Sequence, residues 1–479
     1  MIAAYLAGIT LFGLRFRKRQ RTLRDYFLAD RSVPWWAIAL SIVAAETSTL
    51  TVISIPGLAY DKDFGFLQVV LGYLVGRVVI SFVFIPQYFR GELFTAYQLI
   101  DRRFGPVLHK FTAGMFLATR AAAEGVRVFA VSIVIGIAIG TGDVWSIAII
   151  LLLTFIYTLE GGMAAVIWTD VVQMAIYLGG TLVGVYTILH LVPGGWSTII
   201  DTASAAGKFH VFDFRWTLAT PYTFWAGLIG GTFLTTASHG TDQLIVQRLL
   251  SARTERDSKT ALLSSGVFVL VQFALFLLVG AMLFVFYRIF PPLLAFERSD
   301  RIFPTFIVTQ MPHIISGLLI AAILAAAMSN LSAALNSLSS STIVDFYLRL
   351  RPDTDERRRM VVSRAATVFW ALVLFALALL SGRGGRVVEV GLSIASVAYG
   401  SLLGVFLLGV LTKRANQRGT LVGMACGFAT SLYVWLATPI PWTWYVVIGT
   451  TVTFTLGYIA SLAFGDTNAR APQQGDKLG

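Results

Sequence analysis

Ser41-Ile42-Val43-Ala44-Ala45-Glu46-Thr47-Ser48-Thr49-Leu50-Thr51 is the stretch on which the reading of this chain turns. It sets a carboxylate and a run of hydroxyls inside an apolar segment that extends over 34–58. An acid held at depth in a bilayer costs about 2.5–3.5 kcal/mol on insertion scales, so it needs a partner cation or a wet cavity. Hydroxyls and backbone carbonyls freed at a helix break are hard oxygen donors, which suit Na⁺. The plainer alternative is that the hydroxyls bond back to their own helix and that Glu46 pairs with a basic side chain. The acid tilts the balance toward a functional site.

The rest of the chain supplies the setting. Of 479 residues, 56% are hydrophobic and 13% charged, where soluble domains carry about 25% charged residues. The apolar residues form long blocks joined by short charged connectors. Thirteen such segments can be marked, at 1–15, 34–58, 64–89, 107–139, 143–159, 164–192, 222–241, 261–290, 314–346, 361–381, 386–411, 416–437 and 441–464. In lipid a spanning segment must satisfy its own backbone, so these are helices. A barrel would instead show alternation in ten-residue pieces. The expected class is an all-α integral membrane protein with about 13 transmembrane helices. The segment 1–15 is short against the roughly 17–25 residues of a full span; either flanking residues help it or the true start lies upstream. Positive charge follows this block instead of preceding it, unlike a secretory signal.

Charge sets the orientation. Counting residues at the segment ends with the adjoining connectors, the connectors after alternate segments, together with the C-terminal tail, hold 26 of the 37 lysines and arginines; the other set holds 8, and Arg77, Arg120 and Arg127 fall well inside spans. The positive-inside rule then places the N-terminus outside and the C-terminus in the cytoplasm of a multi-pass plasma-membrane protein. The net charge of +12 is explained by these connectors, so no nucleic-acid partner is implied; the lipid bilayer is. The single cysteine, Cys426, excludes an internal disulfide and is expected as a small buried hydrophobe. The one long polar stretch outside is 193–221, and no soluble domain is visible.

An internal repeat is suggested by spacing. Segments 107–139 and 314–346 are the two of about 33 residues, and they lie five segments apart. Segments 34–58 and 222–241 are also five apart, and both are interrupted, the second at Gly227, Gly230 and Gly231. An odd offset inverts the second copy. Inverted repeats that each begin with a broken helix mark transporters with a site near the bilayer midplane.

Three further stretches carry chemistry. Ala325 to Ser337 places Ser329, Asn330, Ser332 and Asn336 among small residues in a long helix, as helix packing or a ligand set would. Gly161 to Gln173 brings Asp170 into a span, either as an acid that helps a cation leave inward or as a complement to the helix dipole. Arg120, Glu124 and Arg127 share one helical face. Arg120 and Glu124 make an i,i+4 pair; Arg127 is then available to an anionic solute or to Glu46. Five histidines show no ligand spacing, and no transition-metal, phosphate-cradling or nucleophile–base motif appears.

At these stretches the chain resembles the sodium/solute symporter family of sodium/glucose, proline, sialic acid and vitamin transporters. The likeness rests on Val33-Pro34-Trp35-Trp36 leading into Ser41–Thr51, Pro56-Gly57-Leu58-Ala59-Tyr60, Gly161–Gln173, Thr241-Asp242-Gln243 with Val246-Gln247-Arg248, and Ala325–Tyr347, in order across about 31–411. It implies a LeuT-type core of two inverted five-helix repeats, 34–192 and 222–411, with a short helix at 1–15 before them, two helices at 416–464 after them and a short polar tail at 465–479. It places Na⁺ on the carbonyls of Ala44, Thr47 and Ala326 and the side chains of Ser329 and Asn330. Asn330 stands where the family has Ser or Thr. A second cation site or exit path would fall on Asp170 and Ser332, but Ala333 lacks a hydroxyl, which favours one Na⁺ over two. Solute positions would fall on Glu46, Ser48, Thr51, Phe64, Gln68 and Arg127.

The expected function is Na⁺-driven symport of a small organic solute into the cell by alternating access, with no cofactor beyond the coupling ion. Each Na⁺ entering across 100 mV contributes about 2.3 kcal/mol. A uniporter or a proton-coupled carrier on the same fold is the alternative, supported by Asn330 and Glu46. A membrane sensor acting through a separate partner is further off, and an enzyme is not expected.

Overall fold

The computed structural model describes Gly8, Phe12 and residues 29–465, apart from 91–96, 158–161, 293–294, 348–350, 352–354 and 383–384. The expected first helix at 1–15, Gly161 and the tail beyond 465 lie outside the described residues, the isolated positions 8 and 12 excepted. In chain order the helices are α1 (Trp35–Glu46), α2 (Thr49–Asp61), α3 (Leu67–Val83), α4 (Ile85–Arg90), α5 (Tyr97–Phe104), α6 (Pro106–Ile139), α7 (Asp143–Tyr157), α8 (Gly162–Leu191) and α9 (Gly195–Ala205). After a loop come a π-helical turn (Ala226–Gly230), α10 (Gly231–Gly240), α11 (Gln243–Leu250), α12 (Glu255–Ile289), α13 (Ile302–Gln310) and α14 (His313–Ser341). The chain closes with α15 (Glu356–Ser381), α16 (Val387–Leu411), α17 (Gln417–Ala437) and α18 (Tyr445–Phe464).

Among the described residues, nine helices are long and apolar enough to cross a membrane, ten if the bent pair α1–α2 is one span. The difference from thirteen has local causes. The segment 1–15 is undescribed, α7 is apolar but only 15 residues long, and 222–241 is divided between the π turn and the ten-residue α10.

The break between α1 and α2 bends the chain by 65°. Thr47 (ψ 70°) and Ser48 (ψ 172°) leave helical geometry. The Ser48 amide turns back to the Glu46 carbonyl at 3.0 Å, which diverts it from the Ala44 carbonyl it would meet in a continuous helix. The Thr51 hydroxyl also donates to the Glu46 carbonyl, at 3.2 Å. Hydroxyl side chains that bond nearby backbone compete with the helix ladder, which is why the break falls in this Thr/Ser run. Helix α12 packs along both halves of the broken span, α8 packs on α1, and α14 lies against α6 and α8.

The second expected break differs. Gly230 (φ −62°, ψ −43°) and Gly231 (φ −60°, ψ −39°) are helical, and the π turn leads directly into α10. These glycines serve close packing. A Cβ on Gly227 would sit 2.6 Å from the backbone of Gln68 in α3, and one on Gly231 would strike the Val69 carbonyl. The chain interrupts later, at Thr241–Asp242, where the Asp242 carboxylate caps α11 by accepting from the Leu244 amide at 2.9 Å. Length also proves a poorer marker of the repeat than the spacing suggests. α12 is 35 residues long because Thr254 caps a polar first turn ahead of its apolar body, against 34 for α6 and 29 for α14.

Candidate cation and solute site

Two neighbouring cavities meet at the α1–α2 break. The smaller, about 40 Å³, is lined by Ala44 and Thr47 at the break, by Ala326, Ser329 and Asn330 on α14, and by Asp170 on α8. All five residues expected to hold Na⁺ therefore gather on one wall-to-wall space. Their donors are neutral oxygens, which bind a cation without fixing a proton count. The Thr47 hydroxyl donates to Gln272 Oε1 at 2.7 Å, which orients Thr47 while leaving its carbonyl uninvolved.

The larger cavity, about 240 Å³, includes Glu46, Ser48 and Thr51 from the break, Arg120 and Arg127 from α6, and Asp242. Ala45, Ser48, Arg127 and Asn330 line both spaces, so a solute in one and an ion in the other would touch shared residues.

Glu46 is paired. Arg77 of α3, 0% exposed, donates from Nη2 to the Glu46 carboxylate, from Nη1 to the Tyr73 carbonyl at 3.2 Å and from Nε to Ser265 Oγ at 3.2 Å. His239 Nε2 stands 3.4 Å from the same carboxylate oxygen. Gly266 leaves room for this arginine, since a Cβ there would come within 2.9 Å of Arg77 Cδ. The plainer alternative for Glu46 is thus the one realised for its charge. Sequence reasoning did not single out Arg77 or His239. The available signal was that an arginine inside 64–89 needs a buried anion, and Glu46 needs a buried cation.

On α6 the local pair forms, Arg120 Nη2 lying 2.9 Å from Glu124 Oε1. Arg127 Nη1 approaches the same oxygen at 2.7 Å and does not cross to Glu46. One carboxylate, 1% exposed, serves two guanidiniums, and Arg127 remains 32% exposed toward the cavities. This face of α6 carries one net positive charge.

Asp170 is also held. Its Oδ2 accepts from Ser41 Oγ at 2.6 Å and from Arg248 Nη2 at 2.9 Å, while Arg248 Nε donates to the same Ser41 oxygen at 2.9 Å. Ser332 is half-buried on α14 and lines neither cavity. Phe64 and Gln68 are likewise not brought to the cavity walls. Gln68 donates to the carbonyls of Gly65 and Tyr222, each at 3.1 Å, and accepts from the Asp213 amide at 3.0 Å. The Phe64 amide bonds the His210 carbonyl at 3.0 Å, and its ring meets Phe209 edge-on. Both residues fasten the polar loop after α9. On that loop the Asp213 carboxyl is held below the usual carboxylate range by hydrogen bonds from Arg215.

Comparison with known proteins places this geometry. The profile of the sodium:solute symporter family matches residues 26–427. The sodium/sialic acid symporter SiaT of Proteus mirabilis (strain HI4320) is 31% identical over 472 residues, which cover 97% of this chain and 94% of its own. The sodium/iodide cotransporter of Homo sapiens is 29% identical over 436 residues, covering 89% of this chain and 67% of its own. Among solved structures, a Na⁺-coupled sialic acid symporter in a substrate-bound, outward-open state superposes with a TM-score of 0.82 at 30% identity, covering 97% of both chains. Inward-facing Mhp1 superposes at 0.54 with 14% identity over 91% of each chain, a likeness of fold alone.

Proposed function

Because this chain belongs to the sodium:solute symporter family, we propose that its solute is a small, hydroxyl-rich carboxylate of the sialic acid kind, carried with Na⁺ bound between the α1–α2 break and α14. The chain is a multi-pass membrane transporter that couples Na⁺ to the movement of a small solute, and it is not an enzyme. The ion would be held by Ala44, Thr47, Ala326, Ser329 and Asn330. The observation that carries this reading is the junction of the two cavities. A pocket of neutral oxygens opens beside a larger space whose α6 wall has two arginines for one buried glutamate. The excess guanidinium charge suits a carboxylate, and Ser48 and Thr51 offer hydroxyls to a polyol. Glu46, neutralised by Arg77, does not select for a cationic solute; it shapes the break.

The same reading places about 13 helices in the bilayer, with 34–192 and 222–411 as inverted five-helix repeats, 1–15 before them and 416–464 after. Lipid surrounds the bundle, nucleic acid has no part, and the basic connectors put the N-terminus outside and the C-terminus in the cytoplasm of a plasma membrane.

A ligand that binds only the folded state raises stability by mass action. Sialic acid is therefore expected to raise the melting temperature of the purified protein in NaCl and to leave it unchanged in choline chloride. Equal shifts in the two salts would contradict coupling, and no shift in either would contradict the solute class.

A further inference from the structure

The loop between α9 and the π turn carries an apolar edge that faces away from the bundle. Residues 210–217 run without helix, turn or bend, and in extended chain alternate side chains share a side. Phe212, Phe214, Trp216 and Leu218 recur at that spacing and are 47%, 62%, 67% and 50% exposed. Val211, Asp213 and Thr217 on the other side are half-buried. Backbone bonds hold this edge in place. The Asp213 amide donates to Gln68 Oε1 at 3.0 Å, the Phe64 amide to the His210 carbonyl at 3.0 Å, and the Phe224 amide to the Asp213 carbonyl at 2.7 Å.

Ring contacts fix the level of the edge in the bilayer. Phe214 stacks on Phe212 at 5.7 Å and lies 5.0 Å from Phe224. Trp216 lies 5.6 Å from Trp225, at the entry to the π turn, and 6.2 Å from Trp444, at the start of α18. The π turn in turn packs against the short turn Trp442–Trp444 that opens α18. The edge therefore sits where two apolar segments begin. Exposed aromatic rings at that depth are the mark of the membrane–water interface, and a row of exposed apolar side chains marks an interaction surface. Charge on the segment cancels locally, because Arg215 Nε donates to the two Asp213 carboxylate oxygens at 2.9 and 3.1 Å.

We propose that Phe212, Phe214, Trp216 and Leu218 form a lipid-seated edge: the loop lies along the bilayer surface at this end of the bundle and sinks these side chains between headgroups and acyl chains. The partner is phospholipid, whatever its headgroup charge, because the edge offers apolar surface with no net charge. The lipid-facing surface of the bundle continues into it, since Tyr433 and Leu436, at the neighbouring end of α17, are 65% and 70% exposed. Asp213 and Gln68 bond on the bundle side of the segment, so seating the opposite side in lipid strands neither group. The exposed Arg215 reaches water by the length of its own side chain. A second copy of the chain is the other occupant such a face could take; the level fixed by Trp225 and Trp444 favours lipid.

The test uses the full chain with Cys426→Ser, so that a single introduced cysteine carries a small fluorophore, reconstituted in phosphatidylcholine vesicles. Phe214→Cys and Leu218→Cys report on the edge, and Asp201→Cys, at an exposed position of α9, is the water-facing reference. A thermal transition matching the parent's shows that each labelled chain is folded, and either loop position alone suffices. Doxyl groups high on the acyl chains quench from lipid, and iodide quenches from water. At the loop positions lipid quenching is expected to exceed that at the reference on the order of threefold, with iodide quenching lower by a similar factor, as interfacial depth requires. The pattern is expected to be the same with and without phosphatidylglycerol in the vesicles. Loop positions that quench as the reference does overturn the proposal, as does lipid contact confined to the anionic vesicles. Protection from both quenchers that disappears on lowering the protein-to-lipid ratio would assign the face to a second copy and overturn the lipid seat.

Discussion

The two cavities share four lining residues and differ in chemistry. The smaller is built at a helix break from neutral oxygens, with its acids Asp170 and Glu124 turned to arginines. The larger is ringed by charge, and nearly all of that charge is matched pair by pair. The difference separates two jobs. On the proposed reading, the site that binds and releases Na⁺ on each cycle uses carbonyls and hydroxyls, whose hold on Na⁺ is moderate. Charges in the larger space fix the architecture and leave a single excess guanidinium on α6 facing the cavities.

Breaking a structural pair is expected to have the largest effect. Glu46→Gln would strand Arg77 in the interior and destabilise the protein by about 3–5 kcal/mol, read as a loss of thermal stability in detergent. The double variant Glu46→Gln/Arg77→Gln is expected to recover most of that loss. A single variant as stable as the parent would show that Glu46 is not the structural acid described here. Next in size is the neutral site. Ser329→Ala is expected to raise the Na⁺ concentration for half-maximal uptake about tenfold, roughly 1.4 kcal/mol, with a smaller change in uptake at saturating Na⁺. An unaltered Na⁺ curve would remove Ser329 from the ion's ligands and blur the contrast between the cavities.

The smallest effect is expected outside both. Asp213 and Arg215 form an exposed pair on the loop after α9, and such pairs contribute little. The Asp213 carboxyl is held low by Arg215, so the pair's contribution is present at neutral pH. It is lost only as pH falls below the unperturbed Asp value of about 3.9. Arg215→Ala should leave uptake unchanged and flatten only that acid limb of the stability profile. A change in solute affinity would show that the loop reaches the site.

How much of this was legible in the sequence depended on range. Apolar length marked the helices, and a Thr/Ser run beside a buried acid marked the break at 46–49. The five expected Na⁺ residues converge because Ala44-Thr47 and Ala326-Ser329-Asn330 each sit within about one turn of a helix, so placing one member places its neighbours. The Arg120–Glu124 pair was legible for the same local reason. Long-range partners were not. Glu46 with Arg77, and Asp170 with Arg248, depend on which helix faces meet, which hydropathy does not encode. Gly227, Gly230 and Gly231 were ambiguous because glycine both breaks helices and permits close approach; here α3 lies against Gly227 and Gly231, and the Thr443 backbone against Gly230. Gln68 and Phe64 lie next to the cavity in sequence, but their polar groups bond the loop after α9.

The driving force of transport is the Na⁺ gradient. Its most direct measurement is the accumulation of labelled sialic acid in proteoliposomes at fixed pH, with NaCl outside only, with equal NaCl on both sides, and with a proton gradient in Na⁺-free buffer. Accumulation above equilibrium is expected in the first condition alone. Equal accumulation in the second condition, or accumulation driven by protons in the third, would contradict it.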